Sequence, residues 1–315
     1  MLGLAVAIWA FDATGFENII AIARRLGGGG FLLYCVYSLG VFVLLGGAWL
    51  AAAAQEGFER LRLFTWVRML REAASDLLPF SQLGGIVVST RMLSAKGLAN
   101  ARVYASLIVD LATEMASQLI FTLFGVAIAA SILMSDQAAS LRTPVLVGGA
   151  IMVAIVAGFV LAPRWILPLA GRIAQHVLPG SVAATSEIGV ELQTLYAQRR
   201  RVVLSFVLNL AAWLASAAGA WIVLRLMDVE LSIWTALSIE SLIFALRTAA
   251  FVIPAGIGVQ EAGYALAAPL LGLPPESALA LALAKRARDL AIAVPTLIIW
   301  QAVEARAVVL GSRRR

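Results

Sequence analysis

Cysteine, histidine and charge are what this 315-residue chain has least of. Its one cysteine, Cys35, has no partner for an internal disulfide and lies in an apolar run. It reads as lipid-facing or core packing, and thiol redox chemistry is not expected. The one histidine, His176, has neither a second histidine nor a cysteine near it, so a surface histidine is expected and a metal site is not. Charged residues make up 13% of the chain against 62% hydrophobic, and the mean hydropathy is +0.93. That composition excludes a water-soluble domain. Strict apolar/polar alternation over about ten residues, the mark of a membrane β-barrel, is also missing. Helices, which satisfy their own backbone hydrogen bonds, are then the expected way through lipid.

Uncharged apolar runs lie between Arg25 and Glu56, Glu114 and Asp136, Arg142 and Arg164, and Arg201 and Arg225. Each is long enough to cross a hydrocarbon core of about 30 Å. The net charge of +6 is scattered along helix ends rather than gathered in a patch, which fits anionic lipid headgroups and argues against nucleic acid. Arg164, Arg172, Arg199, Arg200 and Arg201 load the middle of the chain, and Arg313, Arg314 and Arg315 load its end. The positive-inside rule therefore places the middle segment and the C-terminus in the cytoplasm. Met1 to Phe11 reads as a short first span rather than a signal peptide, because it has no basic n-region.

A repeat organises the whole. Pro254, Gly256, Gly258 and Glu261 interrupt an apolar stretch that follows Arg247, and 175 residues earlier Pro79, Gly84 and Gly85 interrupt another behind Arg71, Glu72 and Asp76. The same offset pairs Gly97-Leu98 with Gly272-Leu273 and Glu114 with Asp289. The expected fold is all-α and polytopic, a single transmembrane domain with two inverted repeats, residues 30–135 and 202–305. Each repeat is a span, a re-entrant helical hairpin (64–93 and 233–271) and a second span. Residues 136–201 are expected to supply a connecting span and a cytoplasmic helix. In that helix Ile188, Leu192 and Leu195 form an apolar stripe, suited equally to an interfacial helix or to a solvated connector. One point strains the scheme: Arg24 and Arg25 fall outside, close to Asp12 and Glu17.

Charge inside a membrane costs on the order of 3 kcal/mol even on the lenient insertion scale, so each such group needs a partner, water or a ligand. Asp110 and Glu114 lie one helical turn apart, and Lys285 and Asp289 hold the matching positions of the last span. The two pairs are placed to approach one another, either as a charge cluster that locks the halves together or as a headgroup or ion site. Arg286 or Arg288 is the expected neutraliser of the two acids. At the second break, Pro254 ends one half-helix and the glycines at 256 and 258 free the next to start near Val259, its N–H groups directed at the break. Such an end attracts an anion, strengthened by Arg247, and Glu261 in its first turn could accept from an amine or hydroxyl. A kinked helix with a capping acid explains the same residues. No strand precedes the Gly-x-Gly, so dinucleotide binding is excluded. Gly27-Gly28-Gly29-Gly30 lacks the Lys-Ser/Thr of a phosphate loop and reads as a flexible lead into the second span.

Leu77-Leu78-Pro79-Phe-Ser-Gln-Leu-Gly84-Gly85, Ile253-Pro254-Ala-Gly256-Ile-Gly258-Val-Gln-Glu261 and Gly272-Leu-Pro274-Pro275-Glu276 resemble the transmembrane region of lysylphosphatidylglycerol synthase and its stand-alone relatives. The likeness runs over nearly the whole chain and is closest to the branch associated with hopanoid biosynthesis. It implies a flippase-like fold and a role in moving or handling polar lipids in the bacterial inner membrane. No soluble aminoacyl-transferase domain follows the last span, so lysyl transfer is not implied. Where many relatives carry an acid after the first pair of glycines, this chain has Ile86.

The leading expectation is a lipid flippase that moves a polar or hopanoid-type lipid by alternating access. Its headgroup would be held by Arg247, the 256–258 backbone, Glu261, Lys285, Arg288 and Asp289. A membrane transferase on a lipid-linked substrate and a non-catalytic partner of lipid-synthesis enzymes are the alternatives; the first lacks an evident donor motif. No cofactor is expected. Small residues such as Ala215 and Gly219 permit close packing, either within the chain or between two copies.

Overall fold

The computed structural model describes residues 14–53, 56–77, 82–135, 150, 154, 181–249 and 258–312. The apolar N-terminus, the span expected at 143–163, His176, and the break residues Pro79, Pro254 and Gly256 lie outside them. Among the described residues the chain is helical, without strands: α1 (Phe16–Arg25), α2 (Gly27–Ala52), α3 (Leu61–Leu77), α4 (Gln82–Ala95), α5 (Asn100–Ser135), α6 (Ser181–Ala197), α7 (Arg199–Leu226), α8 (Ile233–Ala249), α9 (Val259–Ala267) and α10 (Pro275–Ser312).

The three helices α2, α5 and α7 are long and apolar enough to cross a membrane. At 1.5 Å per residue, even the 26 residues of α2 reach beyond a core about 30 Å thick. The 38-residue α10 carries Lys285, Arg286, Arg288 and Asp289. Its outer face is nonetheless greasy. Leu290, Val294 and Ile298, each one turn after the last, are exposed, as are Leu32, Val36 and Val43 of α2. Buried polar groups and exposed aliphatic ones are the reverse of a soluble protein, and they put lipid on the outside and charge within.

The order of lengths recurs along the chain. Residues 27–135 give helices of 26, 17, 14 and 36 residues; residues 199–312 give 28, 17, 9 and 38. The junction before each long helix is the same motif. Gly97 and Gly272 adopt φ of +89° and +84°, which glycine reaches without strain. Leu98 N–H then donates to Leu93 O at 3.3 Å, and Leu273 N–H to Ala268 O at 3.1 Å, each reaching back five residues as a Schellman cap does. Both leucines are buried, and α5 and α10 each begin two residues later, at matching positions.

Two cores flank the middle of the bundle. Trp49, Phe64, Leu93, Leu98 and Val103 pack between α2, α3, α4 and α5, while Tyr264, Ile243, Leu273 and Leu279 pack between α8, α9 and α10 with Ile19 of α1. The halves meet where α2 lies along α7, α5 against α7 and α8, and α10 against α3. Tyr37 Oη donates to Ala215 O at 2.8 Å, and a Cβ on Gly219 would lie 2.9 Å from the Tyr37 ring. These small residues thus serve contact between α2 and α7 of one chain. The stripe of α6 also faces inward: Leu195 is buried, with Ile188 and Leu192 against the first core.

The tetraglycine departs from expectation. Gly28 to Gly30 belong to the first turns of α2, and only Gly27, at φ +61°, marks the corner after α1. Packing of the remainder of α2 outweighs the low helix propensity of glycine. Further along, α2 and α3 touch at Gly46, where a Cβ would lie 2.5 Å from Thr65 Cα. Backbone cannot retreat as a side chain can. Gly46→Ala is expected to cost about 1–3 kcal/mol, seen as a lower melting temperature of the detergent-solubilised protein.

Candidate functional site

Charge from both halves converges between the helices. In the first half, Arg68 and Arg71 lie on one face of α3 and meet the two acids of α5. Arg68 Nη1 donates to Asp110 Oδ2 at 3.2 Å and Nη2 to Glu114 Oε1 at 2.5 Å. Arg71 donates to Asp110 Oδ2 at 3.2 Å and to Glu114 Oε2 at 2.8 Å. Arg68 also lies 2.9 Å from Glu72, and Arg71 places its guanidinium 5.5 Å from the centre of the Trp49 ring. Arg68, Arg71 and Asp110 are buried. The expected neutralisers of Asp110 and Glu114, Arg286 and Arg288, are therefore replaced by α3 arginines, whose one-turn spacing puts both within reach of the α5 pair.

The second half has its own buried cluster. Lys285 of α10 contacts Glu240 of α8 at 2.5 Å and the Tyr264 hydroxyl of α9 at 2.9 Å, and Tyr264 donates to Glu240. Lys285 is 3% exposed and Glu240 1%, so each charge is met by the other. Its ammonium also lies 4.8 Å from the centre of the Phe244 ring. Glu261 behaves as the capping acid. Its Oε2 accepts Gly258 N–H at 2.8 Å, with Gly258 at φ +83°, and its Oε1 accepts Arg286 Nε at 3.0 Å. Gly85 brings α4 onto α3, where a Cβ would lie 2.4 Å from Arg71 O; Gly84 precedes it in α4.

Between these clusters lies a cavity of about 410 Å³. Its cations are Arg68, Arg71, Arg247, Lys285 and Arg288, and its carboxylates are Glu72, Asp76, Glu114 and Asp289. Val41, Phe42, Leu45, Met115, Trp213 and Phe244 form apolar wall. Arg288 pairs with Asp289 at 2.6 Å, donates to Ser38 Oγ at 3.2 Å and lies 5.2 Å from the Tyr34 ring centre. Arg247 reaches Asp76 only at 4.0 Å, the loosest of these ion pairs, with the two side chains 26% and 23% exposed. Three lining nitrogens, Arg68 Nε, Trp213 Nε1 and Arg288 Nε, have no hydrogen-bond partner among the described residues. All three can only donate.

The cavity gathers Glu114, Arg247, Lys285, Arg288 and Asp289 from the residues expected from sequence. Asp110 stands behind it in the arginine cluster, and Gly258 and Glu261 do not line it. Arg68, Glu240 and Tyr264 escaped the sequence reading. Glu240 had a legible signal, a lone carboxylate in the apolar run before Arg247, which calls for a buried partner. Among the described residues no group of three histidines, cysteines or carboxylates is arranged to hold a metal ion.

An all-α, multi-pass membrane protein enclosing an amphipathic, charge-lined cavity is the class that fold and site define. The model of the lysylphosphatidylglycerol synthase transmembrane region matches residues 1–297, and the chain belongs to that family. Neither a curated protein nor a solved structure matches it.

Proposed function

We propose that the protein is a lipid flippase, in which a polar headgroup occupies the central cavity while the apolar tails stay in the bilayer. The cavity carries this reading. A volume of about 410 Å³ is within the range of small-molecule sites, and it combines apolar wall with fixed charge. Its five cations against four carboxylates suit an acceptor-rich group such as a phosphodiester, with Arg247, the most loosely paired of them, as its first contact. Lys285 lines the same space with its charge already met by Glu240. The matching caps at Gly97 and Gly272, the recurring helix lengths and the two interrupted hairpins support inverted repeats that rock around this site, with the C-terminus cytoplasmic in a bacterial inner membrane. The lipid is of polar or hopanoid type. Transport is favoured over group transfer because the carboxylates of the cavity are paired with cations rather than poised against a nucleophile.

Leaflet exchange of labelled phospholipid and hopanoid probes in proteoliposomes tests the reading. Wild type is expected to exchange lipid, and Arg247→Ala to lose at least about tenfold, the loss of one charge-assisted hydrogen bond. Glu261→Gln is expected to act on folding more than on transfer, because Glu261 holds the start of α9 and contacts Arg286. Absence of exchange by wild type under every gradient would overturn the proposal.

A further inference from the structure

Behind the cavity wall, α5 and α7 bury a polar cluster of their own. Asp110, Ser205 and Asn209 are 0% exposed and Thr113 is 6% exposed. Asn209 Nδ2 donates to Thr113 Oγ1 at 3.2 Å, and Thr113 Oγ1 lies 2.8 Å from Ser205 Oγ and donates to the Asp110 carbonyl at 2.9 Å. The Asn209 side chain also reaches the Asp110 carboxyl. Two oxygens of the cluster, Asp110 Oδ1 and Asn209 Oδ1, have no hydrogen-bond partner among the described residues. While Asp110 is ionised both can only accept, and a buried acceptor without a donor is costly. Charge and bond length single out the same carboxyl. Arg68 and Arg71 face three acids, Glu72, Asp110 and Glu114, which leaves one negative charge over. Glu114 takes arginine bonds of 2.5, 2.8 and 3.0 Å, whereas both bonds to Asp110 are 3.2 Å. A charge-assisted pair is shorter, about 2.7–2.9 Å.

We propose that Asp110 and Asn209 form a proton site, and, resting on the flippase reading, that lipid transport is coupled to this proton. A single proton on Asp110 Oδ1 answers all three observations. It donates to Asn209 Oδ1, so both stranded oxygens gain a partner; it cancels the leftover charge; and it leaves Oδ2 the weak acceptor that its long bonds describe. The charged groups that face Asp110 are Arg68, Arg71 and Glu72 of α3 and Glu114 of its own helix. No charged residue occurs in α2, and α7 carries its arginines at its two ends. The remaining charges on helices packed against α5 are engaged elsewhere: Glu240 with Lys285, Arg247 with Asp76, Arg91 with Glu304 and Glu191 with Arg102. Coupling runs through the arginines. Both touch Asp110 Oδ2 and both line the cavity. When the proton leaves, Asp110 becomes a charged acceptor and draws Arg68 and Arg71 toward itself and away from Glu114. When it returns, they are released to the cavity side. A proton taken up from one face and given up to the other thereby resets the wall that a headgroup meets.

Infrared difference spectroscopy of the purified full-length chain tests the site without requiring transport. Wild type at neutral pH is expected to show the carbonyl stretch of a protonated carboxylic acid, shifted in heavy water and fading as the pH rises. Asp110→Asn, a fixed mimic of the neutral acid, is expected to lose that band and keep the wild-type melting temperature, and Asn209→Leu to move the band without removing it. No difference band between wild type and Asp110→Asn overturns the site, for then the carboxylate is ionised and the Asn209 amide is turned to donate to it. Should Asp110→Asn misfold, the band shift in Asn209→Leu decides. In proteoliposomes, one proton per lipid makes each unit of pH gradient worth a factor of about ten in the leaflet distribution of a labelled phospholipid at equilibrium. A distribution indifferent to a pH gradient of either sign overturns the coupling. The band without any leaflet exchange would sink the flippase reading and leave the proton site standing; exchange without the band would do the reverse.

Discussion

Arg68→Ala is expected to destabilise the protein by about 3–5 kcal/mol, the range measured when one member of a buried ion pair is removed. Arg68 is 2% exposed and contacts Glu72, Asp110 and Glu114. Taking it away leaves Arg71 alone to face three carboxylates, of which Asp110 is fully buried. The loss is that of an uncompensated charge in a medium of low dielectric, and it exceeds the loss of the hydrogen bonds themselves. The partner variant separates the two effects. Glu114→Gln in the Arg68→Ala background removes one excess charge and should regain a measurable part of the melting temperature, giving a coupling of the order of 1–3 kcal/mol in a double-mutant cycle. A wild-type melting temperature for Arg68→Ala would mean that water or a bound ion neutralises the acids. Arg68→Lys is expected to fall between, since an ammonium cannot bridge Asp110 and Glu114 with two parallel nitrogens.

What was legible in the sequence follows from which physical rules act locally. Long uncharged runs fix α2, α5 and α7, since lipid leaves the backbone no other choice. The 175-residue offset was legible because the Gly97 and Gly272 caps need glycine at φ above +80°, and a local backbone demand leaves its mark at both positions. Charge partners are a tertiary matter. The pairing of Asp110 and Glu114 with α3 depends on how α3 lies against α5, and Gly85, Gly46 and their neighbours set that approach. Glu261 shows the same limit from the other side. Sequence placed it at a break with a helix N-terminus and left two uses open, capping and ligand binding. Its two oxygens are taken by Gly258 N–H and Arg286, and the capping use is the one the geometry fills. The tetraglycine was misread because propensity is a weak prior beside the packing of a 26-residue apolar helix.

The buried pair Lys285 and Glu240 carries the second large effect. Lys285→Met is expected to cost about 3–5 kcal/mol, because it leaves Glu240, 1% exposed, with only the Tyr264 hydroxyl as partner among the described residues. Glu240→Gln should cost a similar amount by stranding Lys285 among Phe244, Tyr264 and the cavity wall. The double variant removes both charges and keeps nearly the same volume. Since replacing a whole buried ion pair is often neutral, its melting temperature is expected to lie close to wild type. This outcome would assign the lysine to the joint between α8, α9 and α10. A Lys285→Met protein as stable as wild type would instead show that the ammonium is not committed to Glu240, and would return it to the headgroup role that its position in the last span first suggested. The two results differ by several kcal/mol in one melting experiment, far outside the scatter of such measurements. The same comparison bears on the cavity: a Lys285 neutralised by Glu240 leaves Arg247, whose ion pair with Asp76 is 4.0 Å long, as the cation there with the loosest claim on its acid and the greatest freedom to meet a phosphate.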